Sequence, residues 1–119
     1  MKIYADNAAT TRLSDTALAA MTPCFQEVYG NPSSLHTPGQ QAAEKLAAAR
    51  EIFARNLNAS PRELTFTSGG SEADNQALRS AAALGARRGK RHIVSTKFEH
   101  HAVLHTLQAL EREGYEVTL

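Results

Sequence analysis

The chain has 119 residues, a formal net charge of +1 and an ordinary globular composition, with 42% hydrophobic and 21% charged residues. This composition argues against intrinsic disorder, and the near-zero charge gives no electrostatic argument for binding nucleic acid. No apolar stretch approaches the roughly 20 residues that span a bilayer, and the first residues do not resemble a signal peptide. A single cysteine, Cys24, excludes an intrachain disulfide framework. We therefore expect a cytoplasmic protein of one domain or part of one, with neither a membrane nor a nucleic acid as partner.

The first half of the chain predicts two helices. Apolar residues recur at spacings of three and four over residues 14–29, with Ser14 as N-cap and Pro23 as a kink or break. Within this helix, Cys24 is expected to be a buried thiol rather than a nucleophile. A second helix is expected over residues 38–57. The predicted buried faces of the two helices are Leu18, Met21, Phe25 and Val28, and Leu46, Ala49, Phe53 and Leu57.

The second half predicts strands that alternate with helices. Ser60 and Glu63 match a capping box by pattern, but the residues that follow are typical of a strand, so we expect a turn there. Strands are predicted over residues 64–67, 92–96 and 115–119, and helices over residues 72–87 and 102–112. The last helix is expected to bury Val103, Leu107 and Leu110. Strands separated by helices indicate a parallel sheet with right-handed crossovers. The predicted fold class is therefore α/β, with two helices followed by β-α-β-α-β.

Gly69, Gly70 and Ser71 lie between the first predicted strand and the helix that follows it. Free N–H groups and the helix dipole favour an anion such as phosphate at a helix start, and Ser71 can add a hydroxyl donor. The alternative is a plain tight turn in which Ser71 caps the helix. The local pattern leaves both open, although it is neither a Walker A loop nor a dinucleotide fingerprint.

Histidines follow the second predicted strand, at the edge where α/β proteins place ligands. His100 could stack on a planar ring or move protons, and the alternatives are a capping role or solvent exposure. His101 and His105 have the spacing of a helical metal-binding pair, but no third ligand is near in sequence, so no metal site is predicted.

Four segments, in this order and spacing, resemble the N-terminal part of cysteine desulfurases, which are pyridoxal phosphate enzymes of the class V aminotransferase group. They are residues 4–11 (YADNAATT), 30–36 (GNPSSLH), 66–75 (FTSGGSEADN) and 95–103 (STKFEHHAV). The resemblance covers nearly the whole chain. It implies the N-terminal part of the large domain of a fold-type I enzyme, with an arm over residues 1–13 and an incomplete cofactor-binding portion over residues 14–119.

The resemblance also implies individual roles. Gly70 and Ser71 match the family's phosphate contacts, and His100 matches the catalytic residue that stacks on the cofactor ring and can shuttle protons. Residues 6–11 resemble an arm near the substrate entrance, and residues 31–36 a loop near the active site and dimer interface. The implied reaction converts L-cysteine to L-alanine and passes sulfur to an enzyme cysteine as persulfide. The implied partners are sulfur acceptors or scaffold proteins of iron–sulfur cluster assembly, and a second copy in a homodimer.

Some parts of the family's machinery find no match. Lys97 lies in the wrong motif for the lysine that forms the Schiff base, Cys24 in the wrong segment for the persulfide carrier, and Asp74 does not match the acidic partner of the pyridine nitrogen. We therefore expect a fragment that carries part of the cofactor cradle and is inactive alone. The alternatives are a non-catalytic fragment that self-associates or docks on a partner, and a fragment of a related selenocysteine lyase or aminotransferase.

Overall fold

The computed structural model describes residues 3–119 and divides into two compact units, the first ending at Leu64 and the second comprising Thr65–Leu119. The order of elements is α1 (Asp15–Gln26), α2 (Thr37–Asn56), a 3₁₀ turn (Pro61–Glu63), α3 (Gly70–Ala86), β1 (His92–Val94), α4 (His101–Arg112) and β2 (Glu116–Thr118). Within the described range, no helix is long and apolar enough to cross a membrane.

Helix α1 begins where its sequence predicts. The hydroxyl of Ser14 accepts a hydrogen bond from the N–H of Ala17 at 3.1 Å, which satisfies one of the helix's unpaired donors. The helix continues through Pro23, so of the predicted kink or break the break does not form. None of its residues is buried, and both Phe25 and Cys24 are exposed. The prediction of a core thiol is wrong, because an apolar helical face is buried only where another surface covers it.

Helix α2 buries small residues rather than the predicted large ones. Its N-cap His36 accepts from the N–H of Gly39 through Nδ1 at 3.2 Å. Gly39, Ala42 and Ala54 are buried, whereas Phe53 stays 54% exposed and Leu46 and Leu57 are exposed too. A Cβ on Gly39 would meet the carbonyl oxygens of Asn31 and Ser34, so the preceding loop approaches α2 too closely for larger side chains.

The capping box is present, but the first predicted strand is not. The N–H of Ser60 donates to Oε2 of Glu63 at 2.7 Å, and the Ser60 hydroxyl accepts from Arg62, which fixes the 3₁₀ turn. Leu64 then adopts extended torsions, yet residues 64–67 form no strand. The sheet of the described chain contains β1 and β2 alone. Extended backbone becomes a strand only when a neighbouring strand pairs with it along a ladder of hydrogen bonds.

The second unit confirms the α/β class with parallel strands. β1 and β2 pair in parallel with Ile93 opposite Val117, and α4 crosses between them. Leu107 and Leu110 of α4 are 2% exposed, as their spacing predicts, and α4 packs against α3. Gly114 takes a φ of 88°, a conformation that favours glycine, and so lets the chain turn from α4 into β2.

Candidate functional site

The start of α3 presents free backbone donors. Gly69 is its N-cap in extended conformation, and no side chain caps the helix. Across residues 3–119, no acceptor takes the N–H groups of Gly70, Ser71 or Glu72, and the first bonded amide is Ala73, which donates to the Gly69 carbonyl at 3.1 Å. A Cβ at Gly69 or Gly70 would meet no atom within 4 Å, so the approach to these donors is open. The start of α3 therefore suits an anion, and Ser71 lies inside the helix rather than capping it.

A carboxylate of the same helix fixes the preceding turn. Oε2 of Glu72 accepts from both the hydroxyl and the N–H of Ser68, each at 2.7 Å. These two hydrogen bonds lower the pKa of the Glu72 carboxyl below its usual value, and the bond from the Ser68 hydroxyl has the larger effect. Glu72 is thus held by Ser68, while the donors of Gly70 and Ser71 stay available. This role of Glu72 was not predicted from the sequence, although a carboxylate in the first turn of a helix is a recognisable signal.

His100 is the N-cap of α4. Its Nδ1 accepts from the N–H of Ala102 at 3.1 Å. Because Nδ1 is an acceptor, the neutral ring carries its proton on Nε2. The structure therefore shows the capping role that the sequence analysis left open, and the ring remains exposed.

Ser71 and His100 line one open cavity of ≈ 340 Å³ within the second unit. Gly70 precedes Ser71 but does not line the cavity itself. The volume lies in the range of small-ligand sites. The other lining residues are Asn75, Arg79, His101, Ala102, His105, Thr106 and Ala109. The structure thus brings together two of the three site residues that the sequence predicts, from helices about thirty positions apart.

A polar link in the wall of this cavity joins the two helix starts. Asn75 of α3 donates through Nδ2 to the Ser71 carbonyl at 2.8 Å, and its Oδ1 lies 2.7 Å from the hydroxyl of Thr106 on α4. Thr106 is 3% exposed. This pair was not predicted from the sequence, in which the available signal is a threonine within the apolar stripe of α4.

The remaining histidines do not complete a metal site. The rings of His101 and His105 stack with centroids 5.3 Å apart. Among the described residues, no group of three or more His, Cys, Asp or Glu side chains is arranged to hold a metal ion.

The second unit is therefore an α/β unit whose cavity is lined by Ser71 at the uncapped start of one helix and by His100 at the start of another. A family model described as aminotransferase class-V matches residues 3–119. The chain belongs to the class-V aminotransferase family.

Known relatives agree with the resemblance found in the four sequence segments. The protein named cysteine desulfurase IscS from Clostridium botulinum (strain Kyoto / Type A2) is 47% identical over 98% of this chain, and the putative cysteine desulfurase IscS 1 from Bacillus subtilis (strain 168) is 44% identical over the same share. The chain spans 29% and 31% of the lengths of these two relatives.

Solved structures extend the agreement to the fold. A structure described as a NifS-like protein superposes with a TM-score of 0.91 at 42% identity, covering 99% of this chain and 32% of that one. A second, described as SspA in complex with cysteine, has a TM-score of 0.82 at 36% identity and covers 93% of this chain and 32% of that one. The predicted resemblance to cysteine desulfurases is thereby confirmed.

Proposed function

We propose that Gly70, Ser71 and His100 form part of the pyridoxal phosphate site of a cysteine desulfurase whose substrate is L-cysteine. One observation carries the proposal: Ser71, at the start of α3 where no side chain caps the helix, and His100, whose ring is exposed, line one cavity. The names of the relatives and the complex of SspA with cysteine support the choice of substrate.

The residues present fit the phosphate and the ring of this cofactor. The phosphate would accept from the N–H groups of Gly70 and Ser71 and from the Ser71 hydroxyl, and the positive end of the α3 dipole favours its charge. The absence of a Cβ at Gly69 and Gly70 leaves the backbone open to a bulky anion. The His100 ring supplies a flat surface for the aromatic ring.

The hydrogen bond by which His100 caps α4 limits the proton chemistry of its ring. Bound pyridoxal phosphate supplies an electron sink for the amino-acid substrate. While Nδ1 of His100 accepts from Ala102, the ring has no free basic nitrogen. His100 therefore stacks and donates a hydrogen bond through Nε2–H, and it takes up a proton only when the cap at Ala102 is released.

The further steps of the reaction belong to the same proposal. Sulfur leaves L-cysteine for an enzyme thiol as persulfide, L-alanine is the other product, and sulfur acceptors or iron–sulfur scaffold proteins receive the sulfur. Lys97 and Cys24 are not assigned the roles of Schiff-base lysine and persulfide carrier. We expect no alanine or sulfide release from the 119-residue chain alone.

A second candidate function is self-association, including the proposed homodimer. The apolar residues of α1 support it, since Leu18, Met21 and Phe25 are all exposed. Sedimentation velocity at rising concentration tests it, and Phe25→Ser should weaken any dimer. A chain that stays monomeric at high concentration contradicts this candidate.

The proposed site is tested by titrating the isotopically labelled chain with inorganic phosphate and with pyridoxine 5′-phosphate, which has no aldehyde to react with lysines. Both ligands should shift the amide resonances of Gly70, Ser71 and Glu72 in two-dimensional NMR spectra. Only pyridoxine 5′-phosphate should shift the ring protons of His100. The amide of Ala17 is an internal control, because Ser14 already occupies it.

Two variants sharpen the test. Ser71→Ala removes one hydroxyl donor and should weaken phosphate binding, whereas Ser80→Ala, an exposed serine of the same helix, should leave it unchanged. If neither ligand, even at concentrations well above millimolar, shifts the amide resonances at the start of α3, the proposed site is wrong.

A further inference from the structure

A buried hydroxyl connects the two halves of the candidate site. Thr106 is 3% exposed, and its Oγ1 lies 2.7 Å from Oδ1 of Asn75 and 2.7 Å from the carbonyl oxygen of Ala102. Asn75 in turn donates to the carbonyl of Ser71 at 2.8 Å. The chain of contacts runs from Ser71, at the start of α3, to Ala102, next to the cap of α4.

The numbers of protons and acceptors limit how the Thr106 hydroxyl and the Asn75 amide can be arranged. Thr106 has one hydroxyl proton, and both Asn75 Oδ1 and the Ala102 carbonyl are acceptors, so the proton is shared between them or alternates. Rotating the Asn75 amide by 180° would point its oxygen at the Ser71 carbonyl, which is also an acceptor. Asn75 is therefore held in one orientation, with its donor on Ser71 and its acceptor on Thr106.

We infer that Asn75 and Thr106 are positioning residues, which hold Ser71, with its N–H and hydroxyl donors, and the ring of His100 at the separation that one ligand needs. The inference rests on the proposed cofactor site. Ala102 donates its N–H to His100, and Thr106 bonds the carbonyl of the same residue, so Thr106 helps to fix the residue that orients this ring. The link touches both helix starts without belonging to the proposed contacts of phosphate or ring.

The positioning role predicts different effects on the binding of two ligands. Inorganic phosphate is small enough to use the α3 donors alone, whereas pyridoxine 5′-phosphate engages Ser71 and His100 at once. Losing the link should therefore weaken pyridoxine 5′-phosphate binding and leave inorganic phosphate nearly unaffected. A purely structural role for Thr106 would change both affinities together.

The experiment compares Thr106→Val, which keeps the shape of the side chain without its hydroxyl, with Thr106→Ser, which keeps the hydroxyl. Dissociation constants for both ligands come from NMR titration of the full chain. In Thr106→Val we expect pyridoxine 5′-phosphate to bind about threefold to tenfold more weakly, the range set by one hydrogen bond. Inorganic phosphate should change less than about twofold, and Thr106→Ser should restore wild-type behaviour.

Circular dichroism first establishes that each variant is folded. Should Thr106→Val fail to fold, Asn75→Ala replaces it. Asn75 is only half-buried, and without it the buried Thr106 hydroxyl still bonds the Ala102 carbonyl. An unchanged ratio of the two dissociation constants in a folded variant overturns the positioning role while the cofactor site stands. A wild-type chain that binds neither ligand overturns the cofactor site, and the positioning role with it.

Discussion

The structure shows His100 capping α4, we propose that its ring also contacts a ligand, and two substitutions distinguish these roles. Its Nδ1 caps α4 by accepting from Ala102 at 3.1 Å, and its ring faces the candidate cavity. His100→Ala removes both the cap and the ring. His100→Asn supplies an amide oxygen that caps helices well but has no ring to stack.

The expected magnitudes follow from these two contacts. Replacing a capping side chain by alanine costs about 1 kcal/mol of unfolding free energy, so His100→Ala should lose about that much. His100→Asn should stay within a few tenths of the wild-type value, since Asn is among the preferred N-cap residues. Binding of pyridoxine 5′-phosphate should weaken in both variants, because both lack the ring.

Urea unfolding followed by circular dichroism, extrapolated linearly to water, measures the first quantity. NMR titration measures the second, and His101→Ala, which removes a neighbouring ring without touching a cap, is the control for stability. Equal losses of stability in His100→Ala and His100→Asn would refute the capping argument. Wild-type ligand affinity in His100→Asn would refute the contact between the imidazole and the ring.

Three further predictions concern the scaffold. Gly39→Ala should destabilise the chain by about 1–2 kcal/mol in urea unfolding, because contact with backbone oxygens of the preceding loop outweighs a gain in helix propensity of at most about 1 kcal/mol. Leu107→Ala should cost about 2–5 kcal/mol by the same measurement, since this side chain is 2% exposed in the core between α3 and α4. The lowered pKa of Glu72 means that its bonds to Ser68 stabilise the turn above the ordinary pKa of a glutamate and are lost as pH falls through the lowered value. An NMR pH titration of the Ser68 amide should show this transition, and Glu72→Gln should abolish it.

Each of these predictions has a contradicting result. A Gly39→Ala chain at least as stable as wild type would show that the loop moves aside without penalty. A loss below about 1 kcal/mol for Leu107→Ala would mean that the helix pair closes around the gap. If the Ser68 amide resonance does not change as the pH is lowered, Glu72 does not control this turn. If the transition persists in Glu72→Gln, another group is titrating.

Interactions between close neighbours in the chain were predictable from the sequence. Ser14 caps α1 and Ser60 pairs with Glu63 as their spacing indicates, because each bond closes within three residues. The parallel strands around α4 followed from the alternation of patterns, and Leu107 and Leu110 from helical spacing.

The position of His100 at the carboxyl end of a strand was also predictable, but its capping bond to Ala102 was one of several open alternatives. The sequence left several roles open for His100, and the structure shows that its side chain caps α4.

Tertiary structure decided which surfaces are covered. Cys24 was expected to be buried from its residue type and Phe53 from helical spacing, yet both are exposed, while Gly39 is buried under a loop. Residues 64–67 are β-like in composition but form no strand, and the Asn75–Thr106 bond joins residues 31 positions apart. Periodicity states which side of a helix is apolar, but burial and pairing depend on a second surface that is distant in sequence, and only the folded chain shows where that surface lies.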